Sequence, residues 1–140
     1  MPRPEPISVG VLSDTHGLLR PEALHALAGC AHILHAGDVG DDSILARLGA
    51  IAPVTAVRGN TDTSAWALTL PEVAFPAFGL ARLVVIHDVH ALRFDPVADG
   101  LGAVICGHSH LPRNETVGGV LYFNPGSAGP RRFDRPVSVG

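Results

Sequence analysis

The sequence predicts an α/β fold in which a parallel sheet with crossover helices is followed by a second, more antiparallel sheet. The prediction rests on three observations. Short β-branched runs recur along the whole chain, helix signals alternate with them only in the first half, and prolines and a paired glycine interrupt the second half.

Ile7 to Leu12 has the length and composition of a strand. Pro21 to Gly29 follows as a short helix, with proline in its first turn and glycine at its close, and Leu24, Leu27 and Ala28 are expected on its buried face. His32 to Ala36 is the second strand. Asp41 or Asp42 then caps a helix through Ile44, Leu45 and Leu48 that stops near Gly49. Val54 to Val57 is the third strand, and this alternation predicts right-handed βαβ units. In the second half, Leu70 to Phe78 contains two prolines, and Arg82 to Ile86 and Ala103 to Cys106 read as strands. Arg93 to Gly102, interrupted by Pro96, is too short for a long crossover helix. Gly118-Gly119 marks a hairpin whose second arm is Val120 to Phe123.

The 140 residues correspond to one domain, 1–140, and 46% hydrophobic against 16% charged residues gives enough apolar material for a core. Cys30 and Cys106 lie far apart inside apolar runs, which fits reduced, buried thiols. Met1 to Pro6 does not read as a signal peptide, and no apolar run approaches the ~20 residues that span a bilayer. The expectation is a soluble cytoplasmic protein with no membrane partner. All ten basic residues are arginines and are outnumbered by thirteen acids, for a formal charge of −3, which disfavours a nucleic-acid polymer as partner.

Polar clusters that no core requires stand at five strand ends. Ser13-Asp14-Thr15-His16 follows the first strand, Gly37-Asp38 the second, Arg58-Gly59-Asn60-Thr61-Asp62 the third, His87-Asp88 the fourth and Gly107-His108-Ser109-His110 the fifth. Ligands of open α/β sheets bind outside the carboxyl ends of the strands, so these clusters can meet on one rim. Each has an ordinary reading alone: Asp14-Thr15-His16 as a turn or helix cap, Gly59-Asn60 as a turn, His87 as a core histidine. Their joint occurrence carries the inference.

The cluster comprises two Asp carboxylates, one Asn carbonyl and four imidazoles, with no thiolate. Such a set suits Mn²⁺, Fe or Zn²⁺. Seven ligands exceed the needs of one ion but suit two ions that share a bridging carboxylate about 3.5–4 Å apart, an arrangement that promotes in-line attack on phosphate esters.

Asp-x-His, Gly-Asp, Gly-Asn, His and Gly-His-x-His occur here in the order seen in the calcineurin-like metallophosphoesterase superfamily, which the chain resembles from about Ile7 to Ser138. Gly59-Asn60-Thr61-Asp62 and Tyr122-Phe123-Asn124-Pro125-Gly126-Ser127 look most like the small phosphodiesterases of the YfcE type. The resemblance implies a two-sheet α/β sandwich flanked by helices, with the site on its rim. It assigns Asp14, His16 and His110 to one metal and Asn60, His87 and His108 to the other, with Asp38 bridging. It further implies two divalent ions, Mn²⁺ first with Fe, Zn or Ni as alternatives, and a bridging hydroxide that attacks a small phosphodiester while Asn60 helps hold the phosphoryl oxygens.

Thr61 stands where the wider superfamily often has a histidine that assists the leaving group, with an Asp equivalent to Asp41 behind it. The small phosphodiesterases also lack that histidine, which leaves the general acid unassigned; Asp62 or His35 could act through a water. His90 competes with His87 as a ligand, and His87 is favoured because it directly ends the apolar strand. His35 reads either as a donor orienting the Asp38 carboxylate or as a buried strand histidine, and His25 and His32 read as structural. Arg131 and Arg132 read either as solvated or as reaching a substrate phosphate. The closing segment Pro136 to Gly140 leaves either a short sheet edge or one covered by a second copy in a homo-oligomer. The rival functional reading is a non-catalytic metal-binding scaffold resembling the retromer subunit of the same fold.

Overall fold

The computed structural model describes residues 7–128. Arg131, Arg132 and the closing segment lie outside them. Strands β1 (Val9–Leu12), β2 (His32–His35) and β3 (Val54–Ala56) form a parallel sheet in the order β1-β2-β3. Helices α1 (Pro21–Leu27) and α2 (Asp42–Gly49) make the crossovers. Asp41 caps α2, its carboxylate accepting the Ser43 N–H at 3.0 Å, and Pro21 opens α1. The α1 face differs from expectation. Ala23 and Leu27 are buried and Leu24 partly so, while Ala28 lies at the C-cap and is exposed.

The second sheet contains β4 (Val73–Ala74), β5 (Ala77–Phe78), β6 (Ala81–Ile86), β7 (Ala103–Ile105), β8 (Arg113–Val117) and β9 (Val120–Asn124), with the order β4-β6-β7-β9-β8 and β5 also on β6. This sheet is mixed and, as expected, more antiparallel than the first. The central strands β6, β7 and β9 run parallel, and only β4, β5 and β8 pair antiparallel at the margins. The parallel β6–β7 link carries a single 3₁₀ turn, Val89–Ala91, and the β8–β9 hairpin turns through Gly118 and Gly119, both at positive φ.

Strand alternation sorts the apolar residues into layers. Val11, Leu34 and Val57 face Val85 and Ile105 between the sheets. Leu12 and Ile33, one position out of phase, pack against Leu27, Ile44 and Leu48 of the helices. Val84, Ile86 and Val104 face outward from the second sheet and meet Val89, Leu92 and Leu101 of the long β6–β7 connection. Helices therefore cover one face of the sandwich, and a loop with one 3₁₀ turn covers the other among the described residues. The parallel strands β1, β2, β3, β6 and β7 all lead into polar segments.

Candidate metal centre

The loops after these five strands bring together all seven residues singled out from the sequence. Asp38 Oδ2 lies 3.6 Å from His16 Nε2 and 3.2 Å from His87 Nε2. Asp14 Oδ1 lies 3.4 Å from His110 Nε2, 3.8 Å from His16 Nε2 and 4.0 Å from His87 Nε2. On the other side, Asn60 Oδ1 is 2.9 Å from His87 Nε2 and 3.2 Å from His108 Nδ1. The imidazoles form two pairs, His16 stacked on His110 at 5.4 Å and His87 edge-on to His108 at 5.1 Å. Asp38 stands between the pairs.

The local backbone is unusual here. Among the described residues, the non-glycine positions with left-handed φ are Asp14, His16, Asp38, His108 and His110, at 46–73°. Such a conformation is uncommon outside glycine and costs about 1–3 kcal/mol when the surroundings impose it. Its confinement to candidate ligands shows that the loops are shaped to aim these side chains. Close packing explains two of the motif glycines. A Cβ on Gly59 would run into the Asp38 carboxylate and backbone N, and one on Gly107 would strike the Ser13 hydroxyl and lie 2.8 Å from Asp14 Oδ2.

Asp62, 4% exposed, accepts N–H groups from Val39 and Gly59 on Oδ2 and from Gly40 on Oδ1, each at 3.0 Å. Asp38 returns the exchange, its Oδ1 accepting the Thr61 N–H at 3.0 Å. The loops that carry Asp38 and Asn60 are thus held by two carboxylates bonded crosswise to each other's backbone. With its oxygens so engaged, Asp62 reads as a positioning group, and sequence reasoning had considered it only as an acid acting through water. The exposed Asp41 caps its helix, and the Ser43 N–H holds its carboxyl below the usual range.

His35 is fully buried, and its ring nitrogens bond to Gly37 and Thr15 and not to the Asp38 carboxylate. Its Nδ1 accepts the Gly37 N–H at 3.1 Å, so its Nε2–H donates to Thr15 Oγ1 at 3.0 Å, and Thr15 donates onward to Val39 O at 2.8 Å. This chain ties the loop of Asp14 and His16 to that of Asp38. Burial lowers the His35 pKa to about 4, so the ring is neutral near pH 7. His90 is exposed on the 3₁₀ turn and belongs to neither acid–imidazole group, whereas His87 belongs to one. Cys106 is buried, which pushes its thiol up to about 11, while Cys30 is only partly buried; both are free.

The last residue of β9 and the segment after it also contribute. Asn124 donates to Gly107 O at 3.0 Å and to Ser109 Oγ at 3.1 Å, and Ser127 donates to Asp14 O at 3.1 Å. Their signal in the sequence was a sixth polar cluster at a strand end.

The donor set fits a cation. Asp14 Oδ1 and His16 Nε2 are buried with no hydrogen-bond partner among the described residues, a costly arrangement for polar atoms. His87 Nδ1 lies 2.7 Å from Ala36 O and must donate to it. The Nε2 of a neutral His87 then offers only a lone pair to the oxygens of Asn60 and Asp38, so a positive charge belongs between them. Burial works to lower the His87 pKa, but the Asp38 carboxylate outweighs it and raises the value. Burial likewise works to raise the Asp38 pKa, but His87 and the Thr61 N–H outweigh it and hold the carboxyl well below its usual range. The proton drawn to this pair occupies a place that a metal ion would contest.

A two-layer α/β fold with a carboxylate–imidazole cluster at its strand ends defines a metal-binding protein of the phosphoesterase kind. The chain belongs to the calcineurin-like phosphoesterase superfamily, whose domain model matches residues 7–140. It is 34% identical over 144 residues to a probable metallophosphoesterase of Methanothermobacter thermautotrophicus, covering 94% of this chain and 83% of that one. The solved structure of the Escherichia coli phosphoesterase YfcE is similar at TM-score 0.69 and 27% identity, covering 94% of this chain and 86% of the other. Vps29 of Entamoeba histolytica, solved in complex with zinc, shares the fold at TM-score 0.72 and 24% identity, covering 86% of this chain and 74% of the other. No helix among the described residues is long and apolar enough to cross a membrane.

Proposed function

We propose that this chain is a metal-dependent phosphodiesterase with a centre for two divalent cations. The observation that carries the reading is the convergence of Asp14, Asp38, Asn60 and four imidazoles, with Asp38 between His16 and His87. Asp14, His16 and His110 would hold one cation and Asn60, His87 and His108 the other, with Asp38 contributing to both. When bound, such a pair lowers the pKa of water and offsets the charge of a phosphoryl group. The likeness to the phosphodiesterase YfcE supports a diester as substrate.

The protein residues then have distinct tasks. Ala36 O fixes the His87 tautomer and ring orientation through Nδ1. Asn60 is exposed at the open side of the cluster, where its amide N–H can donate to a phosphoryl oxygen. Thr61, also exposed, has a hydroxyl too weakly acidic to protonate a departing alkoxide at neutral pH, so leaving groups that bear negative charge well are favoured. Four imidazoles suit Mn²⁺ better than Mg²⁺, which prefers oxygen ligands, and hydrolysis is expected to return after chelation more readily with Mn²⁺.

The deciding experiment is metal analysis of protein saturated with Mn²⁺, paired with hydrolysis of bis(p-nitrophenyl) phosphate. The proposal expects two ions per chain and chelator-sensitive turnover. One ion per chain, unchanged by Asp38→Ala, overturns the dinuclear centre. A fully loaded protein that hydrolyses no diester hands the site to the scaffold reading, for which the shared fold with Vps29 is the supporting observation.

A further inference from the structure

Two clefts flank the Asn60, His87 and His108 side of the cluster. One, of about 420 Å³, has Asn60 and His87 in its wall and is further lined by Arg58, Glu72, Val73, Ile86, Ala91 and Arg93. The other, of about 340 Å³, has His108 in its wall together with His90, Ser109, Leu111 and Arg113. Asp88 lines both and forms the ridge between them. A phosphodiester has two ester arms, and phosphorus placed beside Asn60 has a cleft available for each.

The clefts differ in their available charge. In the smaller, Arg113 is paired with Glu115 at 3.1 Å and lies over the Tyr122 ring at 4.8 Å. In the larger, Arg58 is committed to Glu72 at 2.8 Å and also contacts Leu68 O at 3.4 Å. Arg93 shares that cleft and has no ion-pair partner among the described residues. Val73, Ile86 and Ala91 supply an apolar wall beside it. A guanidinium in no ion pair, on a concave and partly apolar surface next to a phosphoryl site, is suited to a second anionic group.

We infer that the larger cleft is a subsite for an ester arm that carries a second anionic group, phosphate or carboxylate, and that Arg93 is its specificity-determining residue. The inference rests on the phosphodiesterase reading above. It narrows the substrate class to unsymmetrical diesters with one additional anion.

The test uses two nucleotides that differ only in that anion, thymidine 5′-phosphate and thymidine 3′,5′-diphosphate, and their 5′-p-nitrophenyl esters. Calorimetry on Mn²⁺-loaded protein is expected to show the diphosphate binding about 10- to 100-fold more tightly, the range of a charge-assisted hydrogen-bonded contact. The corresponding ester is expected to show a similarly lower KM. Arg93→Ala should bring the ratio between the paired ligands close to one, and Arg93→Lys should keep part of it. The ratio within each variant cancels any general loss of fold or metal. Equal affinities in the wild type, or a preference that survives Arg93→Ala, overturn the subsite. Discrimination between the nucleotides without hydrolysis of either ester sinks the phosphodiesterase reading and leaves the anion subsite standing.

Discussion

The two halves of the cluster are built differently. Asp14 and His110 are buried and His16 nearly so, with two polar atoms there left unpartnered. On the other half only His87 is buried, while Asn60 and His108 are exposed between the two clefts. The closed half is held from behind by Thr15, Ser127 and backbone bonds, including His16 N to Asp38 O at 2.9 Å. The difference teaches that the protein holds one half of the site rigidly and presents the other to a ligand. Preorganised groups lose little freedom when a cation arrives, and an exposed amide and imidazole leave room for a substrate.

The largest expected effect comes from removing the residue that joins the halves. On the proposed two-cation centre, Asp38→Ala should lower hydrolysis by about 10³-fold or more, because both cations would lose a ligand at once. If metal analysis shows one half still loaded and turnover little changed, the halves are independent and Asp38 is not shared.

Thr61 tests the open half. With no proton donor there, kcat should fall steeply from aryl to alkyl leaving groups when chemistry limits the rate. Thr61→His is expected to recover alkyl esters by about 10²-fold, the lower end of what a positioned acid contributes. A flat leaving-group dependence in the wild type would reveal an acid elsewhere, and Asp62→Ala would show whether it is Asp62.

Asp62→Asn tests whether one buried carboxylate behind the site serves both halves. It replaces an acceptor oxygen with a donor facing the N–H groups of Val39, Gly40 or Gly59. Mn²⁺ affinity, followed by titration of the folded protein, should drop by about 10- to 100-fold. A variant that only lowers the melting temperature of metal-free protein and leaves affinity intact would make the clamp a matter of folding alone.

The last test concerns stability rather than activity, at His35 behind the closed half. Its ring stays neutral in the fold down to about pH 4 but takes up a proton near 6.5 in the unfolded chain. Between those values the unfolded state binds more protons, so stability should fall as pH drops through that window and level off below it. The loss over the whole window is about 3 kcal/mol. His87, with its raised pKa, contributes in the opposite sense, stabilising most at low pH and losing that contribution as pH rises through its folded value. Comparing metal-free wild type with His35→Gln by denaturant unfolding at several pH values isolates the first contribution. Parallel pH profiles would show that His35 is not the group responsible.

Much of this was legible in the chain itself. The strands that carry the site were readable because β-branched runs and their flanking glycines are local signals. The strand ends held all seven candidate residues because a packed core has no use for carboxylates and imidazoles, so their positions in sequence already set them apart. The mixed character of the second sheet was legible, but its parallel centre was not, because pairing direction depends on which distant strand a segment meets. β6 and β9 flank β7 in parallel, and the hairpin glycines report only on the edge.

What the sequence alone determined is therefore the inventory: the alternating strands and helices, the order of the polar clusters, and a donor chemistry suited to a divalent cation. What only the tertiary structure decided is the arrangement. The His108 N–H meets Asp14 Oδ2 across 94 residues, Ser127 reaches Asp14 O across 113, and Asp62 reaches Val39 across 23. Residue type and local periodicity are properties of neighbouring positions and can be read in line. Which carboxylate becomes the clamp, which stands between the imidazole pairs and which of the cleft arginines enters an ion pair depend on hydrogen bonds and ion pairs that exist only after distant loops have been packed onto one rim.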